Sequence, residues 1–203
     1  LADTRGFINS VLPGALNIQI RTGLPAAVLI AQAILETGWG QYVTKDKNTG
    51  QFSFNLFNIK GAGPAGKVLA RTFEYYNGVK TYIDDYFRAY NNYEESFADY
   101  AALITGSKTY SKAVAVKSDP VAYAKALQAC GYATDPGYAE QLIGLIRSYR
   151  LIEEVNELAE TPSDWAKDAW EEATEKKIVD GTMPKGPVTR EQLIVILKRL
   201  KLL

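Results

Sequence analysis

The apolar positions of this chain fall into blocks with different periods. Leu24 to Leu35 is apolar throughout apart from Gln32. Inside that run Ala27, Ile30, Ala31 and Ile34 recur at helical spacing. Val28, Gln32 and Glu36 stack on a neighbouring face at i, i+4 and i+8. Pro25 suits the first position of this helix, as Pro13 suits the opening of an earlier one that ends at Gly23. Gly38 and Gly40, on either side of Trp39, end the second helix. At about 12 residues the apolar run is too short to cross a bilayer.

Residues 41–66 are rich in Gly, Asn, Thr and Lys, with apolar residues gathered between Phe52 and Ile59, and this predicts irregular structure. The period then changes. Lys67 to Ile83 reads as a β-hairpin, because Phe73, Tyr75, Tyr76, Val79, Tyr82 and Ile83 flank Asn77-Gly78, a strong hairpin-turn pair. Helices resume from about Asp84, with Phe97, Tyr100, Ala101 and Ile104 on one face. Asp119-Pro120 and Asp135-Pro136 each join an N-cap residue to a proline at the first helical position. The second pair opens a helix whose Tyr138, Leu142, Leu145 and Tyr149 form a stripe. The expected fold is α+β: a mainly helical body, a small inserted β-lobe, and a cleft between them.

Residues 153–162 (EEVNELAETP) are polar and acidic and read as a linker or helix end. Two further helices follow, one from about Ser163 to Lys176 and one from Thr189. Thr189 and Gln192 have capping-box spacing. Leu193, Ile196, Leu197 and Leu200 are the expected buried face, and Gly181, Pro184, Gly186 and Pro187 the turn before it. The chain therefore divides into residues 1–152, a linker over 153–162, and a small helical module over 163–203.

Composition narrows the chemistry. With 203 residues, 47% of them hydrophobic, the chain can build one main core of about 150 residues beside a small module. Charge is balanced at 23 Lys+Arg against 23 Asp+Glu with no basic stripe, which argues against nucleic acid as a partner. There is no histidine, so imidazole metal sites, Ser-His triads and Cys-His dyads are all excluded. Carboxylates, Tyr, Lys and the single Cys130 remain. Cys130 lies with Tyr123 and Leu127 at helical spacing and reads as a packed thiol. No metal, cofactor or membrane partner is expected. The 13 Tyr, 7 Phe and 3 Trp lean toward a groove that stacks sugar rings and bonds their hydroxyls. Leu1 to Gly6 lacks the basic-then-apolar leader pattern, which leaves export open.

Cleaving a glycosidic bond takes a proton on the leaving oxygen, and an acid that works near neutral pH needs its pKa raised by burial. Glu36 stands at a helix end between Leu35 and Trp39, where the helix dipole also favours its protonated form. From the residues alone it is either a proton donor or a capping, salt-bridged carboxylate.

The wording around Glu36 settles which expectation to carry. Ala31-Gln32-Ala33-Ile34-Leu35-Glu36-Thr37-Gly38-Trp39-Gly40 resembles the catalytic motif of the glucosaminidases of glycoside hydrolase family 73, which includes autolysins and phage lysins. Asn55-Leu56-Phe57-Asn58-Ile59-Lys60 is similar to the family's next block, with Asn58 where glycine is usual. Phe87-Arg88-Ala89-Tyr90 and Gly131-Tyr132-Ala133-Thr134-Asp135-Pro136 resemble two more, in order, between about Phe7 and Leu151. The resemblance implies a lysozyme-like fold and cleavage of peptidoglycan glycan strands between N-acetylglucosamine and N-acetylmuramic acid. Glu36 falls on the family's general acid. Glu74 matches its second acidic residue, with Asp84 and Asp85 as weaker candidates, and Tyr132 matches a tyrosine that lines the cleft. Gln32, Trp39, Asn55, Phe57 and Lys60 are expected against substrate. Tyr138 is a further substrate candidate, although its place at the head of a stripe reads first as core. Arg88 and Tyr90 read as supports between lobe and body.

The tail resembles a single S-layer-homology repeat, through Asp164-Trp165-Ala166, Ala169-Trp170, Asp180-Gly181 and Pro187-Val188-Thr189-Arg190-Glu191-Gln192. That resemblance implies contact with secondary cell-wall polymer through Trp165, Thr189 and Arg190, or self-association of the module. The expected location is the cell wall or the extracellular space, or a phage lysin released from its host. A muramidase or lytic transglycosylase on the same polymer, and a non-catalytic wall-binding module, are the competing readings.

Overall fold

The computed structural model describes residues 3–76, 79–179, 181–186, 188, 190–199 and 201–202. The Asn77-Gly78 turn, Leu1 of the leader reading, Asp180, Pro187 and Thr189 of the tail motif, and Leu200 of its apolar face lie outside the described residues, as do the side chains of Tyr75 and Gln192. The chain divides into two compact units, Leu1–Ile152 and Glu153–Leu203.

In the first unit α1 spans Thr4–Thr22 and starts well before Pro13, which sits inside it. Asp3 caps the helix by accepting from the Gly6 N–H at 2.8 Å. Phe7, Ile8, Val11 and Leu12 ahead of the proline and Ala15, Leu16 and Ile18 after it are all buried. Burial along the whole face outweighs the one helical bond that Pro13 removes. Gly23 ends α1 with a left-handed φ of 75°. The next helix, α2, spans Ala26–Thr37 with Pro25 at its N-cap. Its first N–H, on Ala26, donates to Gln19 Oε1 of α1 at 2.7 Å, a cap supplied by a neighbouring helix. Every residue from Ala26 to Ile34 is buried, so α2 is the central helix of the body rather than an amphipathic one.

Strands β1 (Lys67–Tyr76) and β2 (Val79–Arg88) form a two-stranded antiparallel sheet in which Lys67 pairs with Arg88 and Tyr76 with Val79. The hairpin is longer than its sequence pattern predicts. Residues 84–88 continue β2 because each has a partner on β1, and the expected return to helix at Asp84 is delayed to Tyr93. The lobe has its own small core of Val68, Phe87 and Ala89, with Ala65 and Ala70 packed on it.

Helix α3 (Tyr93–Gly106) is capped by Asn92, whose side chain accepts from the Glu95 N–H. Its face of Phe97, Tyr100, Ala101 and Ile104 is buried. A 3₁₀ turn at Lys108–Tyr110 leads to α4 (Ser111–Ala115) and α5 (Pro120–Ala129), the latter capped by Asp119. Helix α6 (Tyr138–Ser148) starts two residues later than Asp135-Pro136 predicts, because the Asp135 carboxylate takes the Gly137 N–H at 2.7 Å in a turn of its own. Cys130 stands half-buried at the end of α5, closer to the surface than the packed thiol expected there.

Helix α7 covers Leu151–Glu160, so most of the stretch expected as a linker is helical. In the second unit a short 3₁₀ turn (Asp164–Ala166) precedes α8 (Lys167–Glu175), and α9 spans Arg190–Arg199. The Met183 N–H donates to Glu160 and Lys185 Nζ to the Leu158 carbonyl, both at 3.0 Å. Leu193, Ile194, Val195 and Ile196 of α9 are exposed, where a buried face was expected for Leu193 and Ile196. Among the described residues no helix is long and apolar enough to cross a membrane.

Candidate active site

The site is built on the C-terminal end of α2. Thr37 closes the helix by donating to the Ala33 carbonyl at 2.6 Å, and its oxygen takes the Gly40 N–H at 2.9 Å. Gly38, Trp39 and Gly40 then all adopt left-handed φ, at 54°, 63° and 76°. Left-handed backbone is unusual for a residue as bulky as tryptophan. The Trp39 ring packs edge-on against Tyr149 at 4.5 Å, which holds it there half-buried. This sharp exit leaves Glu36 at the mouth of the helix instead of inside the body.

Glu36 is half-buried and borders a cleft of about 800 Å³ whose lining includes Tyr42, Asn58, Thr72, Phe73 and Phe87. Burial pushes its carboxyl above the ordinary value of 4.5, and a side-chain hydrogen bond from Asn58 partly offsets that. Thr72, Phe73 and Phe87 come from the hairpin, so the cleft runs between the helical body and the β-lobe.

One turn below Glu36, Gln32 is completely buried. Its Nε2 donates to the hydroxyls of Tyr100 at 2.9 Å and Tyr138 at 3.0 Å, and its Oε1 lies 3.0 Å from Tyr100 Oη. Tyr132 completes the group, its ring centroid 6.0 Å from that of Tyr100 and 5.6 Å from that of Tyr138. Gly131, with φ of 80°, ends α5 and leaves Tyr132 on the turn before α6. Burial raises the Tyr132 phenol first of all, and the nearby Tyr138 and Glu36 raise it further, so it stays protonated and can donate. Gln32, expected against substrate, is here a buried bracket whose amide is bonded to tyrosine hydroxyls. Tyr138 is likewise core, with its hydroxyl held by Gln32.

Asn55, also expected against substrate, is likewise used as a buried brace in this structure. It is fully buried, donates to the Ile59 and Arg88 carbonyls at 2.9 and 3.0 Å, and accepts from the Phe57 and Ile59 N–H groups. It ties the 55–59 loop to the end of β2. Phe57 is buried and stacks on Tyr100 at 4.0 Å with an interplanar angle of 15°, supporting the tyrosine group from the side. Lys60 is exposed but engaged: it pairs with Glu74 at 2.5 Å and Asp85 at 2.8 Å. Asp85 first and Glu74 second raise its ammonium pKa. Glu74 lies on the same strand face as Thr72, roughly 7 Å further along β1. It is absent from the cleft lining next to Glu36, and Lys60 occupies its carboxylate. Arg88 meets Asp99 of α3 at 2.6 Å, and the Tyr90 hydroxyl donates to the same carboxylate at 2.6 Å.

Several of these partners gave little sign in the sequence. Tyr100 shows only as one member of an apolar stripe, Tyr42 and Thr72 carry no pattern, and Asn58 stands out only as a departure from glycine. In the tail Trp165 is 91% exposed and Arg190 is exposed at the start of α9. A cavity of about 440 Å³ bordered by Glu160, Trp170, Glu171, Thr174, Glu175 and Gly181 lies within that second unit.

The sequence pattern of the glucosaminidase family, described as mannosyl-glycoprotein endo-beta-N-acetylglucosaminidase, matches residues 12–151. Peptidoglycan hydrolase FlgJ of Escherichia coli is 37% identical over 155 residues, which covers 74% of this chain and 48% of that protein. A probable N-acetylmuramidase of Lactococcus lactis is 34% identical over 157 residues, covering 73% of this chain and 34% of the relative. The chain therefore spans less than half the length of either of these curated relatives. A crystal structure of a peptidoglycan hydrolase mutant from Sphingomonas sp. A1 shares the fold with a TM-score of 0.60 at 42% identity, over 74% of this chain and 97% of that one. The buried acid at the end of α2, the hairpin lobe opposite it and the match across residues 12–151 agree: this chain belongs to the glucosaminidase family of glycoside hydrolases.

Proposed function

We propose that the chain hydrolyses the glycan strands of peptidoglycan as an endo-β-N-acetylglucosaminidase, with Glu36 as general acid. The observation that carries this reading is a carboxyl at the open end of a buried helix, bordering the cleft, with its pKa raised by burial. The protonated Glu36 gives its proton to the bridging oxygen as the bond from that oxygen to C1 of N-acetylglucosamine breaks. Water then adds at C1 and loses a proton to a carboxylate. Glu74 takes that proton in this reading, once the lobe closes and its pair with Lys60 opens. Tyr132, held protonated, supplies a hydroxyl to the substrate or to the water.

Relatives named peptidoglycan hydrolase support the polymer, and the family description supports the glucosamine side of the bond. The exposed Trp165 and Arg190 support contact of the tail with an anionic wall polymer, and the site of action is then the cell wall. The similarity to a probable N-acetylmuramidase favours a second reading, cleavage of the other linkage.

The test is clearing of a wall suspension, followed by borohydride reduction and mass spectrometry of the digest. Glu36→Gln is expected to lose nearly all clearing while keeping its circular dichroism. Reduced N-acetylglucosamine ends are expected from the wild type. Muramitol ends would move the assignment to a muramidase and anhydromuramic ends to a lytic transglycosylase. A Glu36→Gln chain that still clears walls would end the acid assignment.

A further inference from the structure

Lys60 is shared between two carboxylates that are held in different ways. Its segment runs beside β2 as a short added strand. Lys60 bridges Phe87, the Gly61 N–H donates to the Tyr86 carbonyl and the Arg88 N–H to the Ile59 carbonyl, both at 2.9 Å. Asn55 fixes Ile59 through both its N–H and its carbonyl, so the lysine leaves a backbone tied down on either side. Cross-strand partners share a face of a sheet, and so do alternate residues of a strand. Lys60, Phe87 and Asp85 therefore lie on one face, together with Ala70, the partner of Asp85, and Thr72 and Glu74 of β1. From there the ammonium meets Asp85 at 2.8 Å and Glu74 at 2.5 Å.

The two acceptors are not equivalent. Asp85 gives one carboxylate oxygen to Lys60 and takes the Tyr86 N–H on the other at 2.7 Å, so the backbone of β2 fixes it. Glu74 has the longer side chain, and among the described residues Lys60 is the one group paired with its carboxylate. One ammonium between two carboxylates leaves one negative charge in surplus. The carboxylate that can let go at less cost is Glu74, which has no second anchor. Asp85 also does more than Glu74 to raise the Lys60 ammonium, and Lys60 in turn holds Asp85 below the ordinary carboxylate value. Glu74 lies one strand repeat, roughly 7 Å, beyond Thr72, which borders the same cleft as Glu36.

We propose that Asp85 is a positioning residue for Glu74: it keeps Lys60 when the Glu74 carboxylate leaves the pair to serve the reaction. The inference rests on Glu74 as the group that takes the proton from water. With Asp85 in place, Glu74 gives up one contact of a shared set and the ammonium retains a partner. Without Asp85, Lys60 has a single acceptor, and Glu74 is held as half of an ordinary ion pair that must break in every turnover. Asp85 thus acts through Lys60 and does not itself touch the substrate.

The test uses the full chain on a wall suspension, with clearing rates resolved into kcat and KM. Exposed ion pairs are weak, so Asp85→Asn is expected to lower kcat about three-fold and leave KM within about two-fold. Removing the lysine as well should relieve the loss: the Asp85→Asn, Lys60→Met chain is expected to be about twice as fast as Asp85→Asn alone. Damage to the lobe would add instead, and the double variant would be slower. Salt screens the remaining Lys60–Glu74 pair, so the kcat of Asp85→Asn relative to wild type should rise with ionic strength. Asp85→Glu, which keeps the charge, should recover most of the loss. A wild-type kcat in Asp85→Asn, or a double variant no faster than Asp85→Asn, overturns the role of Asp85. If Glu74→Gln hydrolyses at the wild-type rate, the reading of Glu74 has failed and this inference with it. An impaired Glu74→Gln beside a wild-type-like Asp85→Asn overturns only the role of Asp85.

Discussion

Glu36, the proposed proton donor, is held half-buried at a cost to stability that depends on pH. Its folded-state pKa lies above the ordinary 4.5 because burial disfavours the charged form. The sign follows directly. A carboxyl with a raised folded value contributes its full share of stability below its unfolded value and loses it as pH rises through the folded one. Glu36→Gln should therefore match the wild-type melting temperature at about pH 4 and exceed it at about pH 8. Paired thermal scans at the two pH values check this, and a variant no more stable at the higher pH would show that the ionised carboxylate costs the fold nothing. Gln32, one turn below, has the opposite character. It is buried, fully bonded to tyrosine hydroxyls, and stabilises the surface on which the acid sits.

At the scale of elements the question is what ties the hairpin to the body. The hairpin buries little by itself: among the described residues its core is Val68 and Phe87 with Ala89 just beyond β2. The attachment is polar. Arg88, the last residue of β2, reaches Asp99 on α3, donates to the Lys60 carbonyl at 3.2 Å, and has its own carbonyl held by Asn55. The Tyr90 hydroxyl shares the Asp99 carboxylate. Removing that carboxylate leaves a guanidinium and a largely buried tyrosine without their acceptor, at a cost of about 2 kcal/mol. Asp99→Ala should therefore lower the melting temperature by about 5 °C and reduce hydrolysis, because the lobe supplies Thr72, Phe73 and Phe87 to the cleft. Asp99→Asn should recover part of both. An unchanged melting temperature in Asp99→Ala would mean that the hairpin is held by its small core alone.

For the whole molecule, the second unit poses the open energetic question. A unit of about 50 residues with no cysteine to staple it rarely buries enough apolar surface to stand alone. Leu193, Ile194, Val195 and Ile196 of α9 are exposed, and so are Ile178 and Trp165. Self-association through this surface is the expected outcome, since symmetric closure buries such a patch on both copies at once. It would also present several Arg190 side chains on one particle and strengthen weak polymer contacts through avidity. Sedimentation of the full chain over a range of concentrations should show a dimer or trimer, reverting toward monomer in a Leu193→Glu, Ile196→Glu chain. A wild-type chain that stays monomeric throughout would refute it.

Local sequence set most of the elements and singled out Glu36 as the candidate acid. Helical spacing from Leu24 onward, the Gly38-Trp39-Gly40 exit and the hairpin residues are local signals, because backbone conformation and amphipathic period are written within a few neighbouring positions. Tertiary structure decided the rest. Pro13 stays inside α1 because burial on both sides of it outweighs one lost bond, and β2 runs on to Arg88 because β1 offers partners that far. Gln32 and Asn55 look like substrate contacts in a motif, yet the folded chain spends their amides on Tyr100, Tyr138 and the 55–59 loop. Glu74 is an unpaired carboxylate in the sequence and a partner of Lys60 in the fold. Each of these outcomes depends on atoms distant along the chain, and no local pattern of residues carries that information.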